Sequence, residues 1–222
     1  MRMIFTVFRV IISIVLLPVC VAVTMSFYKG IFAIKSVSDS GLIFILGAFL
    51  YSLLHLLLFK LDFLYILGHE LMHVIATLFS GGKAKDMKVS NKEGSVKTTT
   101  PNFLVVIAPY LIPGYTVLIA VLYFIVSFFT DVTKYYSIFI FLIGFTLMMH
   151  LSYTAQSVRE KQSDLIRSGY VFSVSFLYVV NLIIVFLILS FVFKEISFFE
   201  FLSSSYEKSK GFYYFFWKQL FL

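Results

Sequence analysis

Cysteine is almost absent from this chain of 222 residues: Cys20 stands alone, inside an apolar run. A single thiol excludes intrachain disulfides and thiolate zinc clusters. Charge is scarce too, at 13% of residues against 60% apolar, where a soluble domain carries about 25% and about 45–50%. No polar tract is long enough for a sizeable extramembrane domain, so a soluble globular fold is excluded and any chemistry belongs in a bilayer or at its surface. Acidic residues are the rarer sign, 11 against 18 basic, for a net charge of +7. The cations fall in short segments between apolar runs, without a basic stripe of interleaved aromatics. That distribution suits contact with anionic lipid and argues against nucleic acid.

What is abundant is apolar sequence in blocks as long as a membrane span, about 18 residues or more. Six spans can be drawn: Val10 to Phe27, Gly41 to Phe59, Asp62 to Phe79, Phe103 to Phe129, Tyr135 to Tyr153 and Tyr170 to Phe193. Arg2 and Arg9 ahead of the first run could mark a signal peptide cleaved after Ala22, but the run continues to Phe27 and favours a retained helix. Pro109, Pro113 and Gly114 should kink the fourth span or leave its first turns non-helical. Between the third and fourth spans, Gly81 and Gly82 suit a helix stop. Alternation in Lys85 to Ser90 and Ser95 to Thr100 then predicts a hairpin. The expected fold is an all-α polytopic membrane protein of about six transmembrane helices, with a small β-hairpin at the membrane surface. Its expected parts are N-terminal helices over 1–60, a core over 61–193 and a tail over 194–222. The tail, with Tyr213, Tyr214, Phe215, Phe216 and Trp217 among charges, reads as an aromatic anchor in the interface. Basic residues divide almost evenly between the two sides, with a slight lean towards a cytoplasmic hairpin.

The third span contains His69-Glu70-Leu71-Met72-His73, an H-E-x-x-H pattern. Histidines four apart on a helix face the same way and can grip one metal ion, while Glu70 is placed to act on a water at that ion. A chance match in a chain of this length arises at roughly half a per cent. Ionisable residues within an apolar helix cost a few kcal/mol each, which marks them as functional. A catalytic zinc site takes three protein ligands and leaves one position open. Asp164 and His150 are the candidates for the third ligand. In the six-span topology both lie on the side where the third span ends at Ser80, whereas Asp131 lies on the other side. Asp62 stands two turns away on the motif helix itself. Asp164 is the first choice, with an ordinary helix N-cap as its other reading; His150 is the runner-up, and reads also as an oxyanion stabiliser or a hydrogen-bonded bundle histidine.

The H-E-x-x-H segment, the polar hairpin after Gly81-Gly82, and Ala108-Pro109-Tyr110-Leu111-Ile112-Pro113-Gly114 together resemble the site-2-protease-like intramembrane zinc metalloproteases, the M50 group, and its short M50B-like branch most. The resemblance covers Gly68 to Leu122. It implies that His69, His73 and Asp164 hold Zn²⁺, that Glu70 is the catalytic acid/base, and that the hairpin offers an edge strand to an unwound substrate. The family's Asn-Pro and Leu-Asp-Gly signature is absent, and Asp164 stands in Gln-Ser-Asp-Leu. The expected activity is hydrolysis of a peptide bond in a membrane-protein substrate. The breaks near Pro109 and Pro113 are the expected sources of backbone partners for that substrate; Asn181 is a further candidate, but reads first as an interhelical hydrogen bond. Two alternatives come from other classes: a non-catalytic metal-binding or accessory membrane protein, and a haem-binding protein using His55, His69, His73 and His150.

Overall fold

Residues 2–221 are described by the computed structural model, and the apolar runs among them are helices. In chain order these are α1 (Arg2–Ile31), α2 (Asp39–Leu53, continued by a π turn at Leu54–Leu58) and α3 (Asp62–Phe79). The strands β1 (Ala84–Val89) and β2 (Gly94–Thr98) follow. The remainder is α4 (Phe103–Leu111), α5 (Gly114–Ser127), α6 (Tyr136–Arg159), α7 (Ser163–Arg167), α8 (Tyr170–Val192) and α9 (Phe198–Phe221). Among the described residues five segments are long and apolar enough to cross a membrane, Val7–Ile31, Asp39–Leu58, Asp62–Phe79, Thr133–Arg159 and Tyr170–Val192, and the bent pair α4–α5 is so only when taken together. The chain is thus a helical multi-pass membrane protein with a small antiparallel hairpin.

The helices divide into two units, one of residues 39–168 and one combining the N-terminal and C-terminal segments on either side. These are not the boundaries at 60 and 193 drawn from the sequence. The difference comes from non-local packing, because α1 pairs with α8 and α9 at the other end of the chain.

Within that second unit, α1 and α8 run in the same direction, with Thr24 and Tyr178 hydroxyls 2.7 Å apart and Phe27 edge-on to Phe186. The tail, expected as an aromatic anchor, packs on α1. It is a continuous helix that returns antiparallel along α1: Phe201 stacks on Phe186, Ser204 meets Ser26 at 3.2 Å, and Tyr213 donates to the Val15 carbonyl. Its polar residues sit on the contact face, where Lys208 Nζ donates to Ser26 Oγ at 3.0 Å and to Ser204 Oγ at 2.7 Å. Asn181, on α8 of this unit, donates to the Leu177 carbonyl one turn back at 2.9 Å.

In the unit of residues 39–168, α2 and α6 form the most intimate pair. A Cβ on Gly47 would strike the Phe141 carbonyl, and one on Gly144 would strike the Phe44 carbonyl, so each glycine admits the other helix's backbone. Further along, Tyr51 lies against Phe145, His55 against Tyr153, and Lys60 Nζ reaches Gln156 Oε1. Both numbers rise together, so the helices are parallel. A parallel pair requires an odd number of crossings between its members. Hence α3 and the α4–α5 pair cannot each be a full span, and the fourth span drawn from sequence is broken by a 73° bend at Pro113. Thr116 on α5 meets Thr146 on α6, and Tyr123 stacks on Phe139, so α5 is antiparallel to α6.

Candidate metal centre

The motif helix stops where a glycine allows it. Gly81 has φ +72°, its N–H donates to the Leu78 carbonyl, and Gly82 N–H donates to the Thr77 carbonyl at 2.9 Å, a Schellman closure. The chain then folds back along α3 as the hairpin. Gly82 packs on Thr77 near one end, and Gly94 packs on Ile66 and Glu70 near the other. The strands pair Ala84 with Thr98, Lys85 with Lys97, Lys88 with Ser95 and Val89 with Gly94. A bulge falls at Asp86, whose carboxylate holds Lys97 at 2.9 Å.

One turn apart on α3, the His69 and His73 rings have centroids 4.9 Å apart. Each ring is fixed through its Nδ1. His73 Nδ1 donates to the Val105 carbonyl at 2.8 Å. That carbonyl is available because the residue four positions on is Pro109, which has no N–H to give it. Pro109 therefore does more than bend the helix: it frees the acceptor that sets the His73 tautomer. His69 Nδ1 lies 3.3 Å from the Tyr65 hydroxyl, which in turn meets Ser157 Oγ at 3.1 Å. With both Nδ1 atoms engaged, the Nε2 atoms face Asp164, at 3.9 Å from His69 and 3.5 Å from His73.

Asp164 stands in the first turn of α7 and receives the Tyr110 hydroxyl at 3.4 Å. Burial would raise its pKa, but hydrogen bonds to His69 and His73 outweigh this and hold the carboxyl well below its ordinary range. One ligand atom from each of His69, His73 and Asp164 lies within 4.8 Å of the other two. Glu70 faces sideways towards the hairpin, only 6% exposed, against Gly94. An open cavity of about 360 Å³ runs from His69, Glu70 and His73 to the hairpin tip at Glu93 and to Asp164.

His150 is not part of this group among the described residues. It is buried and lines a different, much smaller cavity of about 30 Å³ that also touches His69. In the six-span topology the end of α6 lies beside Ser80. Instead, Asp62 accepts from Tyr153 at 2.9 Å and Tyr65 meets Ser157, so Asp164 approaches from the start of α3. Tyr65, Tyr110 and the Val105 carbonyl went unread in the sequence. Tyr65 stands one turn before His69, and Pro109 points back four residues to Val105, so both carried a signal; Tyr110 carried none. His55 pairs with Tyr51 at 3.0 Å in a separate groove, which gives no support to a shared haem.

No family model matches the chain, and no curated protein or solved structure matches it. The chemistry of the donor set must therefore speak for itself. Two imidazole nitrogens and one carboxylate, with rings oriented by outer hydrogen bonds and an open side, fit a divalent first-row metal ion. The hairpin tip has no spare room: a Cβ on Gly94 would sit 2.7 Å from Glu70 Oε1. Gly94→Val is expected to lift the tip off α3 and to speed trypsin cleavage after Lys92, read by timed digestion against wild type.

Proposed function

We propose that this protein is an intramembrane zinc metalloprotease resembling the site-2-protease-like group. The observation that carries the proposal is the convergence of His69 Nε2, His73 Nε2 and a carboxylate oxygen of Asp164 on one open cavity beside a buried carboxylate, Glu70, that is not one of the three. A zinc ion held there would acidify a water and polarise a scissile carbonyl. Glu70 takes the proton from the attacking water and delivers it to the departing amine. The Val105 carbonyl keeps the His73 imidazole in the tautomer that presents Nε2, and the Tyr65 hydroxyl orients the His69 ring through Nδ1. Tyr110 steadies Asp164 by its hydroxyl. The substrate is a membrane-protein segment already opened from its helix, because a backbone carbonyl hydrogen-bonded within a helix is not available for attack. It reaches the cavity beside the hairpin tip.

Metal analysis tests the centre. Detergent-purified wild type is expected to hold about one zinc per chain, and His73→Ala and Asp164→Ala are each expected to lose it. Wild type without stoichiometric zinc overturns the proposal. Loss in His73→Ala but not in Asp164→Ala removes Asp164 from the ligand set.

A further inference from the structure

The α2–α6 pair comes into backbone contact at Gly47 and Gly144. Past Tyr51 the side chains of His55 and Tyr153, and of Lys60 and Gln156, span the pair. There α2 ends in its π turn, closed by the Phe59 N–H on the Leu54 carbonyl at 3.0 Å, and π turns recur at functional sites. The opening between this turn and the last turns of α6 is a groove of about 670 Å³, larger than the cavity at the metal centre.

Its lining changes along its length. Leu56, Met148 and Leu151 make an apolar trough, and Lys60, Gln156 and Arg159 close its end. Lys60 and Arg159 are exposed, and neither forms an ion pair among the described residues. Lys60 Nζ donates only to the neutral Gln156 Oε1 at 3.2 Å. The nearby acids Glu160, which accepts from Gln156 Nε2 at 2.8 Å, and Asp62, which accepts from Tyr153, do not line the groove. The groove thus ends in two cations where two apolar spans run out.

We infer that this groove binds one anionic glycerophospholipid. An acyl chain lies along Leu56, Met148 and Leu151, and the phosphodiester sits between Lys60 and Arg159, whose guanidinium fork matches phosphate oxygens. Basic pockets between membrane helices favour anionic headgroups in this way. A soluble phosphate ester could use the two cations but would leave the trough bare, so the lipid is the occupant. The inference rests on the α2–α6 pair alone and stands whether or not zinc is bound.

Native mass spectrometry of the full chain in neutral detergent tests it, titrating phosphatidylglycerol against phosphatidylcholine of the same acyl length. Wild type is expected to take one phosphatidylglycerol with about tenfold preference. Lys60→Gln with Arg159→Gln is expected to bring the preference within about twofold. Ala155→Trp, at an exposed position in the groove wall, should weaken both lipids. Lys83→Gln with Lys85→Gln, on the hairpin, should leave the preference intact, and glycerol phosphate should not compete. Monodisperse elution and unchanged far-ultraviolet dichroism establish that each variant is folded. No preference in wild type, preference surviving in the folded Lys60/Arg159 variant, or competition by glycerol phosphate at lipid concentrations overturns the inference.

Discussion

Glu70→Gln is expected to slow peptide cleavage about a thousandfold while leaving zinc in place. The amide keeps the size and the packing of the side chain against Gly94, so the hairpin stays seated. It cannot accept a proton from water, and loss of a positioned acid/base costs typically about 10²–10⁴ in rate. Because Glu70 lies outside the group formed by His69, His73 and Asp164, metal content should not change. The measurement pairs metal analysis with turnover of a single-span reporter, carrying a glycine-proline break within its span, co-reconstituted in liposomes. Full cleavage by Glu70→Gln would remove the role assigned to this carboxylate. Zinc in both proteins with the reporter left intact by both would favour a metal-binding protein without peptidase activity.

The second large effect is structural. Gly144→Leu drives a side chain into the Phe44 carbonyl, which is main chain and cannot swing aside. Overpacking costs about 1–3 kcal/mol even where side chains can adjust, and here about 3 kcal/mol is expected. That corresponds to a melting temperature lower by about 6–12 °C for a chain of this size. Since α6 carries Tyr153 and Ser157 and leads into α7, zinc retention should fall as well. Gly144→Ala should show the same direction with a smaller shift. Thermal unfolding in one detergent, with metal content read in parallel, checks both. An unchanged melting temperature for Gly144→Leu would show that the two backbones do not approach as described.

Much of this was written plainly in the sequence. Apolar run length placed the helices, glycine pairs placed the stop after α3, and alternation placed the strands within a residue or two. The H-E-x-x-H spacing put His69 and His73 on one face because helical periodicity is a local property. Asp164 was singled out, yet by a topology the helices do not follow. The direction of α6 relative to α3 depends on Gly47 and Gly144 packing across nearly a hundred residues, and no local pattern reports that. The packing of the tail is hidden for a related reason: only the fold brings Ser204 and Lys208 against Ser26 on α1, a pairing of residues nearly two hundred positions apart.

The hairpin lying down the flank of α3, from Thr77 to Ile66, changes what the motif helix is immersed in. An antiparallel ribbon bearing lysines, serines and threonines sets polar side chains and backbone edge groups alongside the helix. On that flank Glu70 therefore meets the main chain of Gly94 within a polar ribbon, a setting that the apolar sequence around the motif does not announce.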